Sequence, residues 1–320
     1  MDRDIFAEEM TTIFGRTWVY LAHESQLPGP NSFRTGRLGL RPVIVTRDRD
    51  GVFHALLNRC AHRAATVCRE ESGTARSFQC PYHGWTFRND GDLVGVPWPD
   101  GYGPAFDRSR FGLGVVPRVE SYRGFVFGTF AQEAPSLAEH LGQARPYLDY
   151  WIDRAPEGVV RLRSGAHRMM YRGNWKLAYD NAGDGYHPAF SHRSLLQMAG
   201  RLGETKDMSY FGRNPDNGAM TVHYLGNGHH VLDQRPSYGG PGSFWANQRP
   251  QPGREAFERW IREHHPDDAD RLLDLCVGAQ INLSIFPNLL IIGNQVQVIE
   301  PFDVDLTQLT WYATTVGGGP

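Results

Sequence analysis

Apolar positions recur near a 3.6-residue period from Ile5 and Phe6 through Met10, Ile13, Phe14 and Trp18, which predicts an amphipathic helix over 4–21. Pro28-Gly-Pro30 ends it. Short alternating or β-branched runs follow at 42–46, 52–57, 76–79, 85–87 and 124–130. Turn sequences such as RDRDG at 47–51 and RNDGD at 88–92 part them, and together they predict an all-β module. Beyond Phe130 helical spacing returns at 136–150, 159–170 reads as a strand, and 173–186 reads as helical from Trp175. The 215–255 region is rich in Gly, Pro and Asn and reads as loops around a strand near 219–225. A helix at 255–276, broken at Pro266, precedes three alternating segments at 288–293, 295–300 and 306–315, expected as antiparallel strands. The expected class is α+β. Residues 1–37 form a helix and lead-in associated with the second domain, 38–155 the all-β domain, and 156–320 a sheet with helices.

Composition narrows the function. With 320 residues and a formal charge of -2, the chain has ample core and no basic run that would favour nucleic acid. The acidic, mixed start MDRDIFAEEM does not read as a signal peptide, and no window approaches the roughly 18 apolar residues of a membrane span. A cytoplasmic protein is expected, and its 4 cysteines do not make a disulfide scaffold.

Two of those cysteines carry chemistry. Cys60 and His62 form a Cys-x-His pair, and after seventeen intervening residues Cys80 and His83 form a Cys-x-x-His pair. Two thiolates and two imidazoles on two short arms suit either one zinc ion or a Rieske [2Fe–2S] centre, in which both Cys bind one iron and both His the other. Zinc sites more often carry Cys-x-x-Cys in one arm, and one Cys and one His in each arm favours the Rieske arrangement. Cys68 lies between the arms and reads as a small buried residue. A second candidate is NAGDGYHPAFSH at 181–192. Asp184 and His187 would share a helix face, Pro188 would break the helix, and His192 could return beside His187. Two imidazoles suit Fe(II), though the spacing alone also fits surface histidines.

The CAHR and CPYHGW boxes, with Arg63 in place, resemble those of aromatic-ring-hydroxylating oxygenase large (alpha) subunits, and GNWKLAYDNAGDGYHPAFSH resembles the same family's non-haem iron segment. The resemblance implies a Rieske domain followed by a helix-grip catalytic domain. It makes Cys60, His62, Cys80 and His83 the cluster ligands and His187 and His192 the iron ligands. It makes Asp184 the bridge to a Rieske histidine of a neighbouring subunit, and Asn181 a pocket residue. It also implies aromatic catabolism with O2, through cis-dihydroxylation or, in some relatives, monohydroxylation or demethylation. Electrons would come from NAD(P)H through a reductase, sometimes with a ferredoxin, into a homotrimer often carrying a small beta subunit.

The segments after the first arm and around His187 look closest to the benzoate, anthranilate and salicylate branch, which acts on carboxylated arenes. Arg193, Arg201, Arg213 and Arg235 are candidate partners for a substrate carboxylate. The family's third iron ligand is a carboxylate beyond the final sheet. Asp303 and Asp305 match a strand turn instead, so a chain truncated before that ligand is expected. Two rival readings are an electron-transfer protein with an inactive second domain and a zinc-stabilised interaction protein.

Overall fold

A computed structural model describes residues 2–194, 197–198, 220–237, 242–246, 252–278 and 280–317. The chain divides into two compact units, Met1–His140 with Glu300–Leu306, and Leu141–Ile299 with Thr307–Pro320.

In the first unit the opening helix α1 covers Arg3–Thr12, capped by Asp2, whose carboxylate accepts from the Asp4 and Ile5 N–H groups. It is shorter than its periodicity suggests. Val19–His23 instead forms strand β1, buried throughout. β1 pairs with β10 (Phe125–Thr129), which pairs in turn with β9 (Arg118–Tyr122). Val and Tyr fit such a strand, and its long-range pairing outweighs the local helical spacing. Residues 1–37, expected with the second domain, group with the first unit: β1 is laddered onto β10, and Arg3 pairs with Asp303 of the Glu300–Leu306 segment.

A second sheet has the order β4-β3-β2-β5, from Phe53–Leu57, Arg41–Arg47, Ser32–Leu38 and Ser72–Thr74. A third has the order β6-β7-β8, from Ser77–Gln79, Thr86–Arg88 and Leu93–Gly95. The β-branched run Val43-Ile44-Val45 is fully buried, with Ile44 opposite Leu56. Phe33, Ile44, Leu56, Phe78, Trp85 and Phe87 form one core that also takes in Cys60, Cys68 and Cys80. The arm bearing Cys60 leaves the end of β4, and the arm bearing Cys80 connects β6 to β7, so rigid ladders hold both.

The predicted helix at 136–150 divides into α2 (Leu137–Leu141) and α3 (Arg145–Ile152), around Gly142 at φ 45°. In the second unit a seven-stranded sheet has the order β12-β18-β17-β16-β15-β14-β13 among the described residues. These are Ala166–Tyr171, Leu306–Ala313, Gln295–Asp303, Leu289–Ile292, Ile281–Ile285, His230–Asp233 and Thr221–Tyr224. The short pair β11 (Val160–Arg161) and β19 (Thr315–Val316) stands apart from it. Helix α4 (Lys176–Gly183) packs on β14 and β15. The expected helix at 255–276 is two helices, Arg254–His264 and Ala269–Val277, parted at Pro266 as its ring dictates.

Candidate functional site

The two arms share one hydrogen-bonding plan. The Cys60 N–H donates to the Ala65 carbonyl at 2.9 Å and the Cys80 N–H to the Trp85 carbonyl at 2.8 Å. The Cys60 carbonyl accepts from the Ala64 N–H at 2.9 Å and the Cys80 carbonyl from the Gly84 N–H at 3.0 Å. In each arm the residue four beyond the cysteine is left-handed, Ala64 at φ 60° and Gly84 at φ 70°. At Gly84 the turn expected after the second His uses the freedom that only Gly has without cost. Ala64 makes the same turn with a Cβ.

The plan sorts the ligands into two pairs. Cys60 and Cys80 are buried at 3% and 2% exposure, and their side chains hydrogen-bond each other. The His62 and His83 rings lie 4.7 Å apart, centroid to centroid, with His83 exposed. A thiol pair inside and an imidazole pair outside matches a cluster with one sulfur-ligated and one nitrogen-ligated iron. A single zinc ion would need the four side chains to converge. Among the described residues no three His, Cys, Asp or Glu side chains do so. Burial pushes the Cys60 thiol up, with the neighbouring Cys80 adding to the effect, while burial ahead of the His83 and Arg63 charges lowers the His62 imidazole. The buried His62 Nδ1 has no hydrogen-bond partner among the described residues. The donor set fits the cluster.

Behind the histidines lies an aromatic shell that sequence reading did not foresee. The Trp85 ring stacks on His62 at 4.9 Å and 9°, and its indole N–H donates to Tyr102 Oη at 3.0 Å. Phe106 and Phe111 each pack against Trp85 at 5.9 Å in T-shaped contacts. Tyr82, exposed, lies 3.8 Å from the His83 ring. Cys68, in the same core, has its own hydrogen-bond network. Asn58 receives the Val67 and Cys68 N–H groups, and the thiol, raised to about 11 chiefly by burial, lies 3.5 Å from Glu70 Oε2.

In the second unit α4 ends at Gly183 and Asp184 turns the chain into extended backbone. The Asp184 carboxylate accepts from the Tyr186 N–H at 2.7 Å and the His187 N–H at 3.3 Å. These bonds, the Tyr186 one foremost, hold it below the usual carboxylate range. A four-residue helix, α5 (Pro188–Ser191), starts with Pro188, and its single turn returns His192 to 5.3 Å from His187, ring to ring. Asp184 Oδ2 lies 3.1 Å from His187 Nδ1, close enough for ion pairing but not aligned as a hydrogen bond. With the carboxylate on the Nδ1 side, Nε2 is the nitrogen left for a metal. The imidazole pair thus fits an iron ion, and among the described residues no carboxylate joins it as a third side chain of a single-ion set.

The other sequence candidates separate. Asn181 is exposed one turn before Asp184, and its carbonyl accepts the Asp184 N–H at 3.3 Å. Trp175 is buried core. Arg235 is engaged by Asp233 through Nε at 2.8 Å and Nη2 at 2.5 Å and lies over the Tyr147 and Tyr150 rings, so it is not free to hold a substrate. Arg193 is exposed, and Arg201 and Arg213 lie outside the described residues. Asp303 accepts from Arg3 and from the Val304 N–H in the strand turn where sequence placed it.

Comparison with known proteins agrees with this geometry. Residues 17–120 match the Rieske [2Fe-2S] domain, and residues 159–316 match the ring hydroxylating alpha subunit (catalytic domain). The chain is 35% identical to the toluate 1,2-dioxygenase alpha subunit of Pseudomonas putida, over 99% of this chain and 69% of that protein. It is 33% identical to the 2-halobenzoate 1,2-dioxygenase large subunit of Burkholderia cepacia, over 97% and 66%. A solved naphthalene 1,2-dioxygenase with indole bound in the active site superposes with a TM-score of 0.78 at 31% identity, covering 98% of this chain and 69% of that one.

Proposed function

The chain belongs to the Rieske-type ring-hydroxylating dioxygenase large (alpha) subunits, and from that premise we propose that it cis-dihydroxylates a carboxylated arene as the oxygenase component of a multicomponent system. One observation carries the reading: a buried Cys60/Cys80 pair backing a His62/His83 pair, in the same chain as the Asp184–His187–His192 array. Cys60, His62, Cys80 and His83 would hold the cluster, and His187 and His192 the mononuclear iron. When bound, these groups supply single electrons and O2 activation.

The residues of the chain do the rest. The arms keep the thiols from water and turn His83 outward, where a donor or a second copy reaches it. Asp184, 45% exposed at its side chain, orients His187 and presents its remaining acceptor capacity to a histidine of a neighbouring copy. Exposed Tyr186 and Phe190 flank it, and exposed Tyr82 flanks His83. Such apolar rims suit a head-to-tail contact between copies, closing as a trimer, with a small beta subunit alongside. Electrons come from NAD(P)H through a reductase, which places the work in the cytoplasm. Among the described residues no helix is long and apolar enough to cross a membrane. Toluate and halobenzoate both carry a carboxylate, which is why that substrate class is assigned.

The test is iron and acid-labile sulfide analysis with visible and EPR spectra. Turnover of toluate and 2-halobenzoate with a reductase and NADH follows. Two irons with sulfide in the cluster, a further mononuclear iron and a cis-diol from toluate are expected; zinc without sulfide sinks the reading. A sulfide-bearing protein that oxidises no arene favours the electron-transfer alternative.

A further inference from the structure

The segment Gly183-Asp184-Gly185 runs close against β14, and a Cβ on either glycine would crowd a β14 side chain, most severely at Gly183. A Cβ on Gly183 would come within 2.5 Å of His230 Nε2 and 2.6 Å of its Cδ2. A Cβ on Gly185 would meet Leu232 Cδ1 at 3.0 Å. His230 and Leu232 are two apart on one strand, so they project from the same face of the sheet. They therefore fill the two notches on either side of Asp184.

Other contacts fix the same stretch. The Tyr179 hydroxyl reaches the Gly228 carbonyl at 2.8 Å and the Ser284 carbonyl at 3.2 Å, and Asn282 Nδ2 donates to the Ala182 carbonyl at 3.4 Å. The His230 ring stands edge-on to Tyr179 at 4.9 Å, and its Nε2 is buried without a hydrogen-bond partner among the described residues. A buried ring nitrogen that makes no bond is costly, so what this imidazole contributes here is its shape.

We propose that His230, seated with Leu232 in the glycine notches, is a positioning residue that sets the Asp184 carboxylate. The proposal rests on the relay role given to Asp184 above. The ring keeps the last turn of α4 at a fixed height over the sheet. That fixes the backbone of Asp184 (φ -89°, ψ 101°), and with it the carboxylate that takes the Tyr186 and His187 N–H groups and lies against His187 Nδ1. A displacement of about 1 Å in such an array costs up to about a hundredfold in rate.

The test compares His230→Ala, His230→Leu, Gly183→Ala and the Gly183→Ala/His230→Ala double variant in the intact oxygenase with its reductase. Cluster spectrum and iron content are checked first. The rate at which substrate and O2 reoxidise the reduced cluster is then followed, together with thermal midpoints of the iron-free protein. His230→Ala is expected to slow reoxidation at least about fivefold and Gly183→Ala about tenfold, with both metals retained. His230→Leu, which refills the notch, stays within about threefold of the parent, and the double variant is faster than Gly183→Ala alone. The midpoints follow the same order. His230→Ala at the parent rate, His230→Leu as slow as His230→Ala, or effects that simply multiply in the double variant would each overturn the proposal. Asp184→Asn is run alongside. If it reoxidises at the parent rate, the relay reading itself fails; if it is slow while the His230 and Gly183 variants do not couple, only the positioning proposal fails.

Discussion

At the scale of single residues, the most informative positions put a backbone or side-chain group where its chemistry resists. Ala64 occupies in the first arm the left-handed place that Gly84 occupies in the second, and a non-glycine residue there costs about 1–2 kcal/mol. Ala64→Gly should therefore stabilise the first unit by up to about 1 kcal/mol once the added freedom of the unfolded chain is subtracted. Gly84→Ala should lose at least about 1 kcal/mol. Its Cβ also meets Pro97 Cγ at 3.0 Å. Urea midpoints of the two variants, moving in opposite directions, check this; a loss in both would mean that Ala64 makes contacts a glycine cannot replace. His23 is the other such residue. It is buried beside Phe125, its Nδ1 accepts the Ser25 N–H at 3.1 Å, and burial lowers it to about 4. The native state thus refuses a proton that the unfolded chain takes up below pH 6.5, so stability falls as pH drops from 6.5 towards 4. Between pH 7 and pH 5 the loss from this group is about 2 kcal/mol. His23→Gln should remove that part of the acid sensitivity, seen as a smaller shift of the urea midpoint between the two pH values.

At the scale of elements, what could be read from sequence was what local pattern and spacing determine. The ligand boxes are local: Cys60 to His62 and Cys80 to His83 each lie in one turn, so spacing revealed both arms and Gly84. The strands at 42–46 and 52–57 were visible because Val43-Ile44-Val45 and Leu56 carry their own β preference. β1 was not visible, because Ile13, Phe14 and Trp18 keep a helical period up to the strand. The pairing of Val19 with Gly128, more than a hundred residues away, decides its fate. His230 and Tyr179 were missed for the same reason, since each becomes meaningful only when α4 is laid on β14 and β15. That docking can be tested through Tyr179. Its hydroxyl is buried against two carbonyls, and burial raises it well above the usual tyrosine range. Tyr179→Phe removes that hydrogen bond and should cost about 1–2 kcal/mol. The measurement is a pair of titrations, metal binding at His187/His192 and the visible spectrum of the cluster. The first should weaken while the second stays unchanged, because Tyr179 and the cluster arms belong to different compact units. A parallel loss of both would show that the effect is a general loss of folding.

At the scale of the whole molecule, the question is where the electron leaving the cluster goes. His83 and Asp184 are both exposed. If the path runs between copies, the cluster of one chain serves the iron of the next, and the two defects complement. Cys80→Ser removes a cluster ligand but leaves Asp184, His187 and His192 intact. His187→Ala removes an iron ligand but leaves the arms intact. Each homogeneous variant should be inactive. The two are co-expressed with distinct tags and oligomers carrying both are purified. In a head-to-tail ring of three that carries both variants, a good donor faces a good acceptor at one of the three positions, so about a third of the parent activity is expected. A path within one chain gives none, since no chain in the mixture carries both centres. The homogeneous variants mixed after assembly provide the control: activity that appears there without subunit exchange would mean that free chains pass electrons by collision. Activity in the co-expressed oligomers alone would make the closed ring of copies, rather than the single chain, the unit that performs the reaction.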